Sequence, residues 1–424
     1  MAGLLDLDTP VVLTNAAPSN EDASAVSDFV ASLSLNGSAL NASNSGPAVP
    51  VGGDASSLAH ILGIGTSNPD RKVSQEEFYE KFVTTLPFPD KKTEDLSKRI
   101  IENCGIKTRH LVHDSDIFNT YEAIANFGSP SLDQRLKLWL EPAIALGKEA
   151  SEKAISDWGG DRKDITHVIT FSTSGIHCPG LDFCLIKQMG LPQTTKHLYV
   201  SYMGCHAGVI GLRTAAEIAA ADPRHRVLCV AVEVNSVNAQ SLNPDNLINN
   251  IIVDCIFADG AGAFILGSKP REDEKPVFEV HRHGTTFIPD SEDVITANVV
   301  CHGLDVGLKK TLPELVGNSV NPFVRSLVGE LSYSDMLWAV HPGGKSIVDM
   351  TQRGCGLKSK QVQVSRDILR EYANMASCTI VFVLDKVRRD NRQKKGDKWT
   401  LALAFGPGVS VEGTLLRLVD SRTE

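Results

Sequence analysis

Apolar and polar positions alternate along the chain in a pattern that predicts strands and helices in turn. Residues 58–65 form a first predicted strand, and a helix-rich stretch follows to about Trp158. Beyond it, short apolar runs predict strands at His167–Ser172, His197–Tyr202 and Arg226–Val234, with a helical pattern at Leu212–Ala221. Strands that alternate with helices in this order indicate βαβ units and a largely parallel sheet.

The later part of the chain repeats this plan. It is predicted to contain a helical region at Leu304–Leu331 and strands at Ala261–Leu266, Val277–Gly284, Met336–Val340, Thr379–Leu384, Trp399–Phe405 and Gly413–Val419. Each part has a central glycine-rich strand. We therefore interpret the chain as an internal duplication, with one half at residues 57–275 and the other at residues 276–424.

The first 56 residues differ in composition from the rest. They are rich in Ala, Ser, Asn, Asp and Pro and nearly free of aromatic side chains. Such a segment can bury little apolar surface. We therefore predict a disordered N-terminal extension at residues 1–56.

Composition and charge narrow the class of protein. Hydrophobic residues make up 42% of the 424 residues and charged residues 22%, as in soluble globular proteins. The net charge of -9 argues against binding to nucleic acid or to an anionic membrane. No apolar run approaches the roughly 20 residues that span a bilayer, and the N-terminus lacks a secretory signal. We expect a cytoplasmic protein without a membrane span.

The nine cysteines do not indicate a metal site. Their number is odd, their spacing is irregular and no Cys-x-x-Cys pair occurs. Most lie in apolar runs, so we expect buried free thiols in a reducing compartment.

Cys205 is the first candidate for chemistry. It follows a strand-like run and precedes a helical pattern, so its thiol is predicted to be exposed and to face the positive end of a helix, which favours the thiolate. Far downstream, His341 ends an apolar strand and Asn374 lies in a turn before another apolar run. Together the three can supply an activated nucleophile, a proton shuttle and an oxyanion donor.

Six motifs in order along the chain resemble those of the thiolase superfamily, and within it the type III polyketide synthases, which are the chalcone synthase-like enzymes. The motifs are Gly63-Ile64-Gly65-Thr66-Ser67-Asn68-Pro69, Gly204-Cys205-His206-Ala207-Gly208, Phe257-Ala258-Asp259-Gly260-Ala261, His341-Pro342-Gly343-Gly344, Asn374-Met375 and Phe405-Gly406-Pro407-Gly408. His206 stands where plant members carry Phe. The resemblance spans roughly residues 57–422 and implies an α/β, thiolase-like fold, in which a duplicated βαβαβ unit builds five αβαβα layers.

The resemblance also implies a mechanism. Cys205 would take an acyl group from a coenzyme A thioester, with its thiolate paired to His341. His341 and Asn374 would stabilise the enolate formed when malonyl-CoA loses carbon dioxide, and then the tetrahedral oxyanion. The acyl chain would grow by decarboxylative Claisen condensation and cyclise to an aromatic or pyrone product. A homodimer is implied, and no metal, flavin or nicotinamide cofactor is needed.

The walls of the cavity are predicted by matching positions to the same family. Phe257 falls at the first gatekeeper phenylalanine and Val306 at the second. The positions of three family threonines are occupied here by Thr173, Asn235 and Asn238. Cys178 stands at the methionine that crosses the dimer, Ala297 at a glycine of the cavity floor and Ala376 at the serine after Asn-Met. Cations for the coenzyme A phosphates are expected at Lys98, Arg99 and Lys345.

These exchanges bear on the substrate. The smaller Val306 and Cys178 predict room for a long or bulky acyl starter, because each buried methylene contributes roughly 0.8 kcal/mol. The polar Asn235 and Asn238 oppose this in part.

The sequence also bears on ring closure. In stilbene-forming members a Thr, Glu and Ser network promotes aldol closure; Thr173 and Glu233 match it, but Ala376 has no hydroxyl. We therefore expect pyrone or Claisen-type closure, with a resorcinol product as the alternative.

Three other functions remain open from the sequence. A ketoacyl-ACP synthase III-like enzyme would use the same Cys, His and Asn with a carrier protein, and the run Gly105–His110 has its character. The loop Phe405–Gly408 favours the polyketide synthase instead. A Cys-His-Asn hydrolase is disfavoured by the parallel α/β plan and the late position of Cys205, and an inactive scaffold by the intact set of catalytic residues.

Overall fold

A nine-stranded mixed β-sheet organises the fold. A computed structural model describes residues 58–83, 88–240, 243, 247–391 and 398–419, so the predicted disordered extension at residues 1–56 lies outside the described residues. The strands are β1 (Ala59–Ser67), β2 (Lys72–Ser74), β3 (Thr108–His110), β4 (His167–Ser172), β5 (Lys196–Ser201), β6 (Arg226–Glu233), β7 (Gly260–Ser268), β8 (Phe278–Phe287), β9 (Ile295–Val300), β10 (Gly303–Leu308), β11 (Leu337–Val340), β12 (Lys398–Gly406) and β13 (Ser410–Leu418). The large sheet has the order β11-β12-β13-β8-β1-β7-β6-β4-β5, and β2–β3 and β9–β10 are separate antiparallel pairs.

Helices cover the sheet and separate its two parts. In the described ranges the α-helices are α1 (Gln75–Lys81), α2 (Lys91–Asn103), α3 (Asp116–Thr120), α4 (Glu122–Ala125), α5 (Leu132–Trp158), α6 (Leu181–Met189), α7 (Ala207–Ala221), α8 (Leu247–Ile256), α9 (Leu312–Val328), α10 (Lys345–Gly354), α11 (Gln363–Tyr372) and α12 (Thr379–Asn391). None of these described helices combines the length and apolar character needed to cross a bilayer.

The same topology occurs twice. In the first half, β6 is parallel to β4 and antiparallel to β7, which is antiparallel to β1. In the second half, β12 is parallel to β11 and antiparallel to β13, which is antiparallel to β8. Helices α7 and α12 precede the equivalent strands β6 and β12. The fold is therefore duplicated, as the sequence pattern suggested.

Five layers follow from this duplication. The half-sheets join where β1 pairs with β8 through Ala59↔Val280, His60↔Glu279 and Ile61↔Phe278. Between them, α7 and α12 contribute to one shared hydrophobic core. Helix α5 packs on the outer face of the first half-sheet and α9 on that of the second. This is the αβαβα arrangement that the resemblance implied.

The large sheet is mixed and not largely parallel as predicted, because five of its eight strand pairings are antiparallel. Two of the predicted elements are also wrong. The run Thr379–Leu384, predicted as a strand, begins α12 instead and is buried throughout. A short apolar run that is buried on all sides gives no periodicity to separate helix from strand. The region predicted as helix from Leu304 begins with β10, and α9 starts only at Leu312.

Candidate active site

One cavity brings the three predicted catalytic residues together. Cys205, His341 and Asn374 all line it. Of the eight predicted cavity residues, seven also line it, namely Thr173, Asn235, Asn238, Phe257, Ala297, Val306 and Ala376. Much of the remaining wall is apolar, with Phe78, Phe82, Leu111, Ile256, Leu304 and Leu308 among its residues. The cavity therefore combines a thiol with a largely hydrophobic lining.

The turn that carries the nucleophile is held from both sides. Cys205 lies between the end of β5 and the start of α7 at Ala207. Gly204 has φ +79°, and a Cβ there would lie 2.6 Å from Cδ of Pro407, so only glycine fits this position. On the other side, its N–H donates to Oγ1 of Thr173 at 2.9 Å. The Phe405–Gly408 loop and Thr173 thus fix the position of the thiol.

Asn374 points its amide toward the nucleophile. Its Nδ2 lies 3.9 Å from Sγ of Cys205 and donates to the carbonyl of Gly343 at 3.2 Å, while Oδ1 accepts the N–H of Ala376 at 2.9 Å. The flanking Ala373 and Ala376 have φ +60° and +45°, a region that is costly for residues with a Cβ. Backbone strain on both sides accompanies the fixed orientation of this amide.

Asn374 and the predicted gatekeeper Phe257 are linked through the backbone. Asn374 donates to the carbonyl of Ile256 and accepts from Ala258, both at 2.9 Å, so it brackets Phe257. The buried Arg109 donates to the Phe257 carbonyl at 2.8 Å, and its guanidinium stacks on Phe78 with 3.8 Å to the ring centroid. Arg109, in the run that suggested a carrier-protein enzyme, therefore braces the gatekeeper segment.

The imidazole of His341 is buried and lines the same cavity as the thiol. Its backbone N–H donates to Leu403 at 2.8 Å, which anchors it at the end of β11. Within the described part of the chain, neither ring nitrogen has a hydrogen-bond partner. Both nitrogens are therefore free of competing protein hydrogen bonds.

Burial controls the charge of this pair. It raises the pKa of the Cys205 thiol to about 12, against an opposing hydrogen bond from Asn374. It lowers the pKa of His341 to about 3, assisted by the like charge of His206. The predicted preference for thiolate near the helix N-terminus is thus outweighed by desolvation.

His206 is a second buried imidazole at the site. Burial lowers its pKa to about 4, and its Nδ1 has no partner among the described residues. Its ring packs so tightly on Gly406 that a Cβ there would overlap it. The exchange of the family's Phe for His206 therefore adds a polar ring without opening space.

A buried carboxyl group lies behind the nucleophile turn. Glu233 accepts the N–H of Thr173 at 3.1 Å and of Ser174 at 2.9 Å, and Ser377 donates its hydroxyl to it. Burial raises the pKa of Glu233 to about 6. Sequence reasoning looked for this hydroxyl at Ala376 and missed Ser377, although the serine is the next residue in the same motif.

The two predicted asparagines of the wall are already hydrogen-bonded. Nδ2 of Asn235 donates to the carbonyl of Ala258 at 2.6 Å, and Nδ2 of Asn238 to that of Ser174 at 2.8 Å. Both amide nitrogens are used within the protein. These side chains therefore present less polarity to a substrate than their identity suggests.

The β9–β10 hairpin forms a further wall. Val306 and Ala297 lie directly opposite each other in its register, and both line the cavity. Directly paired residues of antiparallel strands project to the same face. One hairpin thus places two small side chains side by side on the cavity surface.

Comparison with known proteins places this site in a family. The chain matches the family model for the N-terminal domain of chalcone and stilbene synthases over residues 51–270, and that for their C-terminal domain over residues 279–420. The chain belongs to the chalcone and stilbene synthase family of type III polyketide synthases. These are acyl-transferring condensing enzymes of the thiolase superfamily, a finding that favours a polyketide synthase over a hydrolase or a carrier-protein enzyme.

Individual relatives match over most of their length. Type III polyketide synthase C of Arabidopsis thaliana is 33% identical over 366 residues, which cover 85% of this chain and 95% of that protein. Bisdemethoxycurcumin synthase of Oryza sativa subsp. japonica is 34% identical over a match that covers 85% of this chain and 93% of that protein. The crystal structure of the C-terminal type III polyketide synthase domain of Steely1, a type I/III hybrid from Dictyostelium, has TM-score 0.79 and 31% identity over 85% of this chain and 99% of that domain.

Cys178 of this type III synthase lies outside the cavity of its own chain. The residue is exposed, which excludes a plain core thiol, and it lines a separate surface depression with Ile176, Phe183 and Tyr199. All nine cysteines are free, and burial is found for Cys229, Cys255, Cys355 and Cys378.

The predicted phosphate-binding cations are exposed and do not line the cavity. Lys98 and Arg99 lie on α2, and Lys345 begins α10, where it pairs with Asp349 at 3.1 Å. A Cβ on Gly105, just after α2, would lie 3.6 Å from Cβ of Lys345, so the end of α2 and the start of α10 are neighbours. In the described residues, no group of three or more His, Cys, Asp or Glu side chains is arranged to hold a metal ion.

Asp254 is a cavity residue that sequence reasoning missed. It lines the cavity from the last turn of α8. The sequence did contain a signal for this residue, because Asp254 is a lone acidic residue in the apolar run from Ile251 to Phe257.

Proposed function

We propose that this synthase condenses a long-chain or bulky acyl-CoA starter with malonyl-CoA and cyclises the product in the same cavity. The observation that carries the proposal is the meeting of Cys205, His341 and Asn374 in one largely apolar cavity. Val306 and Ala297 support the preference for a large starter, because both side chains are small where the hairpin faces the cavity.

Chain loading follows from the geometry around the thiol. Cys205 passes its proton to His341 and attacks the carbonyl carbon of the starter thioester. The Nδ2 group of Asn374, 3.9 Å from Sγ, is placed to donate to the developing oxyanion. The carbon–sulfur bond to coenzyme A then breaks, and the leaving thiolate recovers the proton from His341.

Extension uses the same groups. When malonyl-CoA loses carbon dioxide, its electron pair remains as the enolate of acetyl-CoA, which Asn374 and His341 would stabilise. The enolate carbon attacks the acyl thioester, Cys205 leaves as thiolate, and the chain on coenzyme A is longer by one acetyl unit. No step requires a metal, flavin or nicotinamide, so we propose that the enzyme uses none.

Two ring closures are proposed in order of preference. Pyrone or Claisen-type closure comes first, because Ala376 presents no hydroxyl to the cavity. The resorcinol alternative is supported by one contact, the hydrogen bond between Ser377 and Glu233, which restores a hydroxyl–carboxyl pair next to Thr173.

The remaining partners are proposed from surface features. Lys98, Arg99 and Lys345 are exposed cations on neighbouring elements and are proposed to bind the coenzyme A phosphates. We propose a cytoplasmic location and a homodimer. The homodimer is supported by β5, an edge strand of the large sheet whose Leu198 is 49% exposed, since uncovered edge strands invite pairing. Cys178 is proposed to lie in that dimer interface.

Mass spectrometry of reaction products tests the function. Purified protein is incubated with malonyl-CoA and starters from acetyl through aromatic to long-chain acyl-CoA, with Cys205→Ala as control. Pyrones or resorcinols that form best from long starters and vanish in the variant are expected. A parallel arm offers malonyl-carrier protein. Condensation in that arm alone would overturn the proposal in favour of a carrier-protein enzyme.

A further inference from the structure

Asp254 places a carboxyl group in the wall of an otherwise largely apolar cavity. It lies in the last turn of α8, between Val253 and the gatekeeper segment, and both neighbours line the same cavity. The C-terminal end of a helix carries partial negative charge, which disfavours a carboxylate there. An acidic side chain is therefore unfavourable at this position unless it has a function.

The nearby cations do not neutralise this carboxyl group. Arg109 donates to the carbonyls of Asp254, Cys255 and Phe257 and to the side chain of Gln75. Arg135 donates to the carbonyls of Val237 and Ala239 and to Ser131. In the part of the chain that the structure describes, no ion pair of Asp254 is formed, and its Oδ2 is buried without a hydrogen-bond partner.

The protonation state of Asp254 determines which hydrogen bonds its side chain can form. Burial raises the pKa of Asp254 to about 8, against the lowering effects of the Gln240 backbone, Arg135 and Arg109. The neutral acid therefore predominates at pH 7. A neutral carboxylic acid can donate one hydrogen bond and accept others, whereas leaving it buried and unpaired is unfavourable.

We propose that Asp254 is a specificity-determining residue that hydrogen-bonds a ketone oxygen of the extended acyl chain from the cavity wall. This inference rests on the proposed function. An unextended fatty starter carries no oxygen beyond its thioester, whereas every extension adds one keto oxygen. The acid thus distinguishes extended intermediates from the starter, and holding one keto oxygen retains the chain for further extension.

Two substitutions separate the hydrogen bond from the shape of the side chain. Asp254→Leu is similar in size and cannot hydrogen-bond, whereas Asp254→Asn keeps a donor and an acceptor. The measurement is the ratio of the most extended product to the earliest released lactone, normalised to the acyl-enzyme on Cys205 seen by intact-protein mass spectrometry. Thermal unfolding of each variant reports whether the fold is retained.

The expected result is a product ratio about tenfold lower in Asp254→Leu and restored to within about threefold in Asp254→Asn. A wild-type ratio in a folded Asp254→Leu enzyme would overturn this inference alone. Absence of any condensation product from wild-type protein would overturn the proposed function, and this inference with it. If Asp254→Leu does not fold, loss of the extended product in folded Asp254→Asn as well would count against a hydrogen-bonding role, and its retention would support it.

Discussion

The thiol of Cys205 and the imidazole of His341 share surroundings that oppose charge on either group. The pKa of the thiol is raised to about 12 by burial, and that of the imidazole is lowered to about 3 by burial and then by His206. Charging one of them alone is therefore expensive at pH 7, whereas proton transfer creates an attracting pair. We therefore expect the reactivity of the thiol to depend on the imidazole.

Replacing His341 by Gln is expected to lower the reactivity of Cys205 toward iodoacetamide at pH 7 by about tenfold or more, since each unit of pKa changes the thiolate fraction about tenfold. Without a proton acceptor, only the raised pKa of the buried thiol remains. The measurement is the rate of alkylation of the Cys205 peptide by mass spectrometry. The exposed Cys301 in the same digest serves as an internal reference. Equal rates in wild type and variant would show that His341 does not take the proton.

At the scale of single elements, the β9–β10 hairpin sets the size of the cavity. Val306 and Ala297 are paired across it, so a larger side chain at either position projects directly into the space for the acyl chain. The hairpin contributes this wall without carrying a catalytic residue, so its size can vary without disturbing the chemistry.

Val306→Phe is expected to exclude long starters selectively. If the ring displaces about two methylenes, each worth about 0.8 kcal/mol, kcat/KM for a long-chain acyl-CoA falls by about tenfold while that for a short starter changes little. Steady-state kinetics with both starters measures this. Val299→Phe is the control, because Val299 lies in β9 of the same hairpin, is exposed and does not line the cavity. Equal losses for both starters would point to a damaged fold instead of a smaller cavity.

Elements differ in how far the sequence could predict them. Strands such as His167–Ser172 were found because their apolar runs are short and bounded by turns. Helix α12 was missed because its first turns, from Thr379 to Leu384, are buried on every side. The catalytic residues were found from motifs, whereas Ser377 and Asp254 were not, because their roles depend on which distant groups the fold brings near them.

At the scale of the whole molecule, one edge of the large sheet carries an uncovered apolar surface. Leu198 on the edge strand β5 is 49% exposed. Ile176 and Phe183, which belong to the same half of the chain, are 40% and 44% exposed. Ile176 and Phe183 line the surface depression that contains Cys178. We propose that these exposed apolar groups form an interface with another protein chain.

Phe183→Asp is expected to convert a dimer into a monomer, because a carboxylate at the interface would lose its hydration without a partner. Sedimentation velocity at several protein concentrations measures the mass. The matched control is Phe287→Asp, since Phe287 is 68% exposed but lies at the end of β8, away from β5 in the sheet. Dissociation by the Phe287 variant, or a monomeric wild type, would place the interface elsewhere or remove it.

The duplicated plan and the central helices together explain why the repeat is faint in the sequence. Helices α7 and α12 occupy equivalent positions, yet each packs against the other and against strands of both halves. Helix α7 therefore packs against α12, and α12 against α7, so the two equivalent helices have different neighbours. The two helices also differ in what precedes them, since one follows Cys205 and the other follows Asn374. Their side chains can therefore differ, whereas the order of strands, which both half-sheets need, stays the same.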